Sequence, residues 1–124
     1  MKDHGGCLAA RVALALVAVM PASCAPGAAP TPAPIRTDRV MVVETGAQDQ
    51  WGYSPSVIEV AIGTSVTWHN GGAQFHTVTS DSPGRPFDLG LDPGKDASFT
   101  FSQAGTFAYH CGVHPQMKGT VVVR

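Results

Sequence analysis

From residue 35 onward, apolar side chains recur at every second position in short runs, and no stretch carries a helical period of useful length. Val40 and Val42 open a first run. Ile58, Val60 and Ile62 alternate with Glu59 and Ala61, and Val66 and Trp68 alternate with Thr67 and His69. Successive side chains on a strand point to opposite faces, so this period marks half-buried strands. Gly63 separates the second run from the third, and Asn70, Gly71 and Gly72 end the third. Phe99 and Phe101 define a strand after the Pro93-Gly94 turn. Thr106 to Cys111 follows the Ala104-Gly105 turn, and Gly119 to Val123 forms the last strand. Many short strands at this spacing predict an all-β fold, an antiparallel sandwich or barrel. Met41 is assigned to the core by its apolar side chain. Residues 80–95, rich in Pro, Gly and Asp, are expected to be a long surface loop.

The first 34 residues follow a different pattern. Residues 12–20 are an uncharged apolar run between Lys2 and Arg11 on one side and Pro21 on the other. That run is too short to span a bilayer as a helix and fits the apolar segment of a secretory signal peptide. Residues 1–24 are therefore read as an export signal, which places the protein in the periplasm or at the cell surface. Cys24 sits where a bacterial lipoprotein carries its lipidated cysteine, although Pro21-Ala-Ser-Cys24 departs from the usual Leu-Ala-Gly-Cys pattern. A lipid anchor there is the one route to a membrane. Residues 25–34, built of Ala, Pro, Gly and Thr, read as an extended linker. The remaining residues, 35–124, make one domain of about 90 residues, enough for a modest core.

Charge narrows the function. The 124 residues carry a formal net charge of −1 with no basic stripe, which excludes nucleic acid as the expected partner. Cysteine usage is sharper. With Cys7 in the signal and Cys24 at its end, Cys111 is the one cysteine of the folded part. Exported proteins usually pair their cysteines, so a lone one is either an inert buried thiol or a metal thiolate.

Alternation in the strand ending at Cys111 puts Phe107, Tyr109 and Cys111 on the inward face and His110 on the outward face. His114 and Met117 follow at three and six residues, close enough for one loop to wrap a single ion. A thiolate, a thioether and an imidazole, with no carboxylate nearby, suit copper in both oxidation states better than magnesium, calcium or manganese. The fourth donor is sought among the remaining histidines. His110 points away, and His69 shares the solvated face of Thr67. His76 lies beyond the Gly-rich turn, where the chain can fold over the sandwich end. His76 is therefore the expected fourth ligand.

These segments resemble the cupredoxins, the small blue copper proteins, and within them the amicyanin and plastocyanin-like group. The resemblance runs through residues 54–58, 63–70, 76–81 and 105–117. It implies a Greek-key β-sandwich, one copper ion per chain, His76, Cys111 and His114 as equatorial ligands, and Met117 as the weak axial one. The two-residue gap between His114 and Met117 is similar to amicyanin. Many relatives carry Asn directly after the first histidine to tie the two ligand loops; here Thr77 leaves that tie to a shorter hydroxyl. A binuclear copper centre needs a second cysteine, a multicopper oxidase needs His-x-His pairs, and a structural zinc site leaves the Met117 spacing unexplained. The resemblance thus implies a monomeric electron carrier rather than an enzyme, docking redox proteins near His114. A carrier, storage or sensing module for copper is the alternative, and a donor dedicated to one enzyme is a third reading.

Overall fold

The computed structural model describes residues 30–124. The expected signal peptide, Cys7, Cys24 and residues 25–29 of the linker lie outside the described residues. Thr31–Arg124 makes one compact unit of two facing sheets.

The strands are β1 (Ile35–Arg36), β2 (Arg39–Val43), β3 (Gly52–Ser54), β4 (Val57–Val60), β5 (Thr64–Asn70), β6 (His76–Ser80), β7 (Asp88–Leu91), β8 (Asp96–Phe101), β9 (Gly105–His110) and β10 (Lys118–Val123). A 3-10 turn, Gln48–Gln50, precedes β3. One sheet has six strands in the order β1-β4-β10-β9-β6-β7, and the other four in the order β3-β2-β5-β8. The expected β-sandwich is present. The sheets are mixed rather than purely antiparallel, because β1 with β4, β4 with β10, and β2 with β5 run parallel. Those pairs join strands that are not sequence neighbours and cross between sheets, so no hairpin constrains their direction.

The core follows the period of two. Val40 and Val42 of β2, Ile58 and Val60 of β4, Val66 and Trp68 of β5, and Val121 and Val123 of β10 all point inward and are buried. Each such side chain, fully removed from water, contributes about 1.5–3 kcal/mol. Trp68 sits at the centre, edge-on to Tyr109 at 5.6 Å and stacked on Phe87 at 6.1 Å.

Three expectations are corrected. Met41 is not core: it alternates with Val40 and Val42, so it faces solvent. Ile62 lies past the end of β4, in the turn to β5, and is exposed. Residues 80–95 are not simply a loop. They contain β7, whose Leu91 is buried, and Phe87 just before it packs on Trp68. The apolar positions 87, 89 and 91 follow strand alternation, but the surrounding Pro, Gly and Asp mask it.

Candidate metal centre

Two adjacent strands of the six-stranded sheet bring the donors together. β6 and β9 pair antiparallel, with Thr79 opposite His110 and Ser80 opposite Tyr109. His76 at the start of β6 and Cys111 just past the end of β9 therefore meet at the same end of the sandwich. The loop from Cys111 to Met117 closes on itself: Met117 N–H donates to the His114 carbonyl at 2.9 Å, and Cys111 N–H to the Met117 carbonyl at 3.0 Å. Gln116 Nε2 pins the loop to the Gln48 carbonyl at 2.8 Å.

His76 Nδ1 lies 3.8 Å from Cys111 Sγ, His114 Nδ1 lies 3.8 Å from the same sulfur, and the two nitrogens are 3.2 Å apart. An ion about 2.0 Å from each nitrogen and about 2.3 Å from sulfur, in a trigonal plane, needs sides of about 3.5 Å and about 3.7 Å. The donor triangle has nearly those sides, so the residues present fit a bound metal. Among the described residues this is the His/Cys/Asp/Glu group of three or more able to hold an ion. His76, Cys111 and Met117 are wholly buried, and His114 is half-buried at the rim. Cys111 is a free thiol. Met117 belongs to the same closed loop and is packed into the core.

The two histidines set aside on the sequence lie elsewhere. His69 Nδ1 meets Asp96 Oδ1 at 2.5 Å, and His110 pairs with Asp81. Both are partly exposed on outward faces.

Thr77 makes a firmer tie than its short side chain implies. Gly112 N–H donates to Thr77 Oγ1 at 2.7 Å, and Thr77 N–H donates to Cys111 Sγ at 3.4 Å. Thr79 Oγ1 donates to Asp88 Oδ1 at 2.8 Å, so its lone pairs are free to accept the Thr77 hydroxyl at 2.9 Å. The chain Gly112–Thr77–Thr79–Asp88 thus links the cysteine loop to β7. The approach is tight: a Cβ on Gly112 would lie 3.3 Å from Thr77 Oγ1.

Sequence reasoning missed two neighbours. The first is Trp51, edge-on to His114 at 5.2 Å and to His76 at 5.9 Å. It covers both imidazoles, and its own buried Nε1 has no hydrogen-bond partner. The second is Glu44, which corrects the expectation that no carboxylate is near. Its Oε1 accepts from His76 Nε2 at 2.8 Å and from Gln74 N–H at 2.8 Å, and its Oε2 from Ala73 N–H at 2.9 Å. Desolvation pushes the Glu44 carboxyl up, but the bonds from His76, Ala73 and Gln74 outweigh it and leave it below the usual range. The 70–76 loop that wraps Glu44 is shaped by buried Asn70, whose amide donates to the Gln74 and Leu91 carbonyls and whose oxygen accepts from Gly72 N–H. Beneath the site, Tyr53 donates to the Thr77 carbonyl at 2.5 Å. Burial first, then the neighbouring Cys111, drives the Tyr53 phenol well above its ordinary value.

A two-sheet sandwich that gathers two imidazoles and a cysteine sulfur at one end defines the blue copper class. The comparisons agree: residues 12–123 match the family model for a cupredoxin-like domain, and the chain belongs to that family. It is 37% identical over 75 residues to amicyanin of Paracoccus denitrificans, covering 57% of this chain and 57% of amicyanin. It is 35% identical to halocyanin of Natronomonas pharaonis, covering 69% of this chain and 56% of halocyanin. The chain thus spans little more than half the length of these two relatives. Among solved structures, a purple cupredoxin from Nitrosopumilus maritimus superposes with a TM-score of 0.60 at 27% identity, over 69% of this chain and 98% of that one. A Cu(I) form of an amicyanin variant superposes with a TM-score of 0.60 at 28% identity, over 73% of this chain and 82% of that one. Copper is the metal of this family, and His76, Cys111 and His114 form a group able to hold a metal ion.

Proposed function

We propose that this chain is an exported, mononuclear type 1 copper protein that passes single electrons between redox partners. His76, Cys111 and His114 would hold the ion, with Met117 as a weaker fourth donor. The observation that carries the reading is the buried donor triangle, held at the joined ends of two paired strands and closed by a short hydrogen-bonded loop. Bound copper supplies a one-electron couple. The protein's part is to keep one geometry for both oxidation states, so that little rearranges when an electron passes.

Each residue has a distinct task. Cys111 provides the thiolate, its sulfur oriented by Thr77 N–H. His76, fully buried, fixes the ion to the sandwich. Met117, buried in the same closed loop, would supply a thioether as a further, weak donor. His114 reaches the rim and is the electron's exit. Exposed Val113 beside it in the loop, with Gly112 and Pro115, forms the apolar patch on which a redox protein docks. Weak redox encounters need only a small surface of this kind. The apolar run at residues 12–20 supports export.

One equivalent of Cu(II) added to the purified chain tests the reading. An intense visible charge-transfer band that ascorbate bleaches and air restores is expected. A colourless complex sinks the type 1 assignment, and release of copper on reduction favours a metal carrier over an electron carrier.

A further inference from the structure

Glu44 lies thirty-two positions before His76 in the chain, yet its carboxylate meets the His76 ring on the side away from the donor triangle. We propose that Glu44 is a positioning residue that fixes which nitrogen of His76 faces the metal, and that its negative charge biases the site toward Cu(II). The charge half of this proposal rests on the copper reading above; the orientation half stands on the hydrogen-bond geometry around His76 alone.

An ionised carboxylate only accepts hydrogen bonds, so the nitrogen that meets Glu44 Oε1 must carry the proton. A neutral imidazole has one N–H and one lone pair. With the proton on Nε2, the lone pair sits on Nδ1, the atom that faces Cys111 Sγ and His114 Nδ1. The carboxylate is itself immobilised by Ala73 N–H and Gln74 N–H, so it constrains the ring rather than following it. Gly72 makes the room: a Cβ there stands 2.1 Å from Glu44 Oε1. The pair is sheltered from water, with His76 at 0% and Glu44 at 13% side-chain exposure. A fixed negative charge in such surroundings acts with little screening, and it stabilises the more highly charged copper ion more than the less charged one.

Two measurements decide the matter. In the copper-free chain, long-range 15N NMR should show neutral His76 protonated at Nε2; a ring protonated at Nδ1 overturns the orientation half. For the charge half, Glu44→Gln places an amide oxygen where Oε1 stands and retains the bonds from His76 and Gln74, losing only that from Ala73. The copper-loaded variant should keep its visible band but show a higher reduction potential. Cu(II) affinity should fall about 10- to 100-fold while Cu(I) affinity falls less. An unchanged potential, or equal loss for both ions, overturns that half. Should Glu44→Gln fail to fold, Gly72→Ala pushes the carboxylate aside without removing it and must raise the potential likewise. Failure of the unmodified chain to bind copper refutes the functional reading instead, and the 15N measurement still tests Glu44.

Discussion

The molecule contains the same chemical pair in two settings. His76 and Glu44 meet at 2.8 Å with side chains 0% and 13% exposed; His69 and Asp96 meet at 2.5 Å with side chains 34% and 53% exposed. Each is an imidazole against a carboxylate. The difference lies in what the other ring nitrogen finds. For His76 it finds a buried thiol and a second imidazole within 3.8 Å. His69 sits on the outward face of β5 beside Thr67, where its ring is partly exposed and, among the described residues, meets no second donor of a metal-binding group. A histidine–carboxylate pair is therefore not a site by itself. Burial and convergence with other donors make it one, and solvent screening reduces the exposed pair to a local contact.

The contrast is broken most severely by removing a donor. His76→Ala should abolish the visible copper band, whereas His69→Ala should leave its wavelength and intensity unchanged; equal effects in absorption spectra would erase the distinction. Next in size is the packing that supports the cysteine strand. A Cβ on Gly119 falls 2.3 Å from the buried Tyr109 ring, which neighbouring aromatics prevent from moving. Gly119→Ala should cost about 3 kcal/mol in urea unfolding, as overpacking of a rigid core does. Gly72→Ala pushes on a carboxylate held by hydrogen bonds rather than by packing, so it should cost about 1.5 kcal/mol through weakening those bonds. Gln116→Ala, which frees the ligand loop from Gln48, should lower stability by about 1 kcal/mol. Smallest is Asp96→Asn, at about 0.5 kcal/mol, because the His69 pair is exposed. A larger loss from Asp96→Asn than from Gly72→Ala, in the same unfolding assay, would reverse the comparison.

Much of the buried site was legible because it is written locally. Cys111, His114 and Met117 share one short loop, and strand alternation alone turned Cys111 inward and His110 outward. His76 followed by elimination, because the faces of His69 and His110 were readable from their neighbours. Glu44 and Trp51 were not legible. They reach the site only because the segment between β2 and β3 folds across the sandwich end, and no periodicity in sequence encodes that passage. β7 was hidden for a different reason: its apolar positions are embedded in turn-forming residues. Met41 shows the converse error, since its alternation with Val40 and Val42 carried more information than its hydrophobicity. Thr77 was read by its reach, but its hydroxyl acts as an acceptor for Gly112 and needs no more length than it has.

X-ray absorption at the copper edge of the fully loaded chain tests the central claim most directly. Two imidazole nitrogens and one short thiolate sulfur are expected around a single ion, in a shell that changes little between the oxidised and ascorbate-reduced samples. A shell without sulfur, or one that loses a nitrogen or gains oxygens on reduction, would contradict the assignment of His76, Cys111 and His114 as one preorganised site.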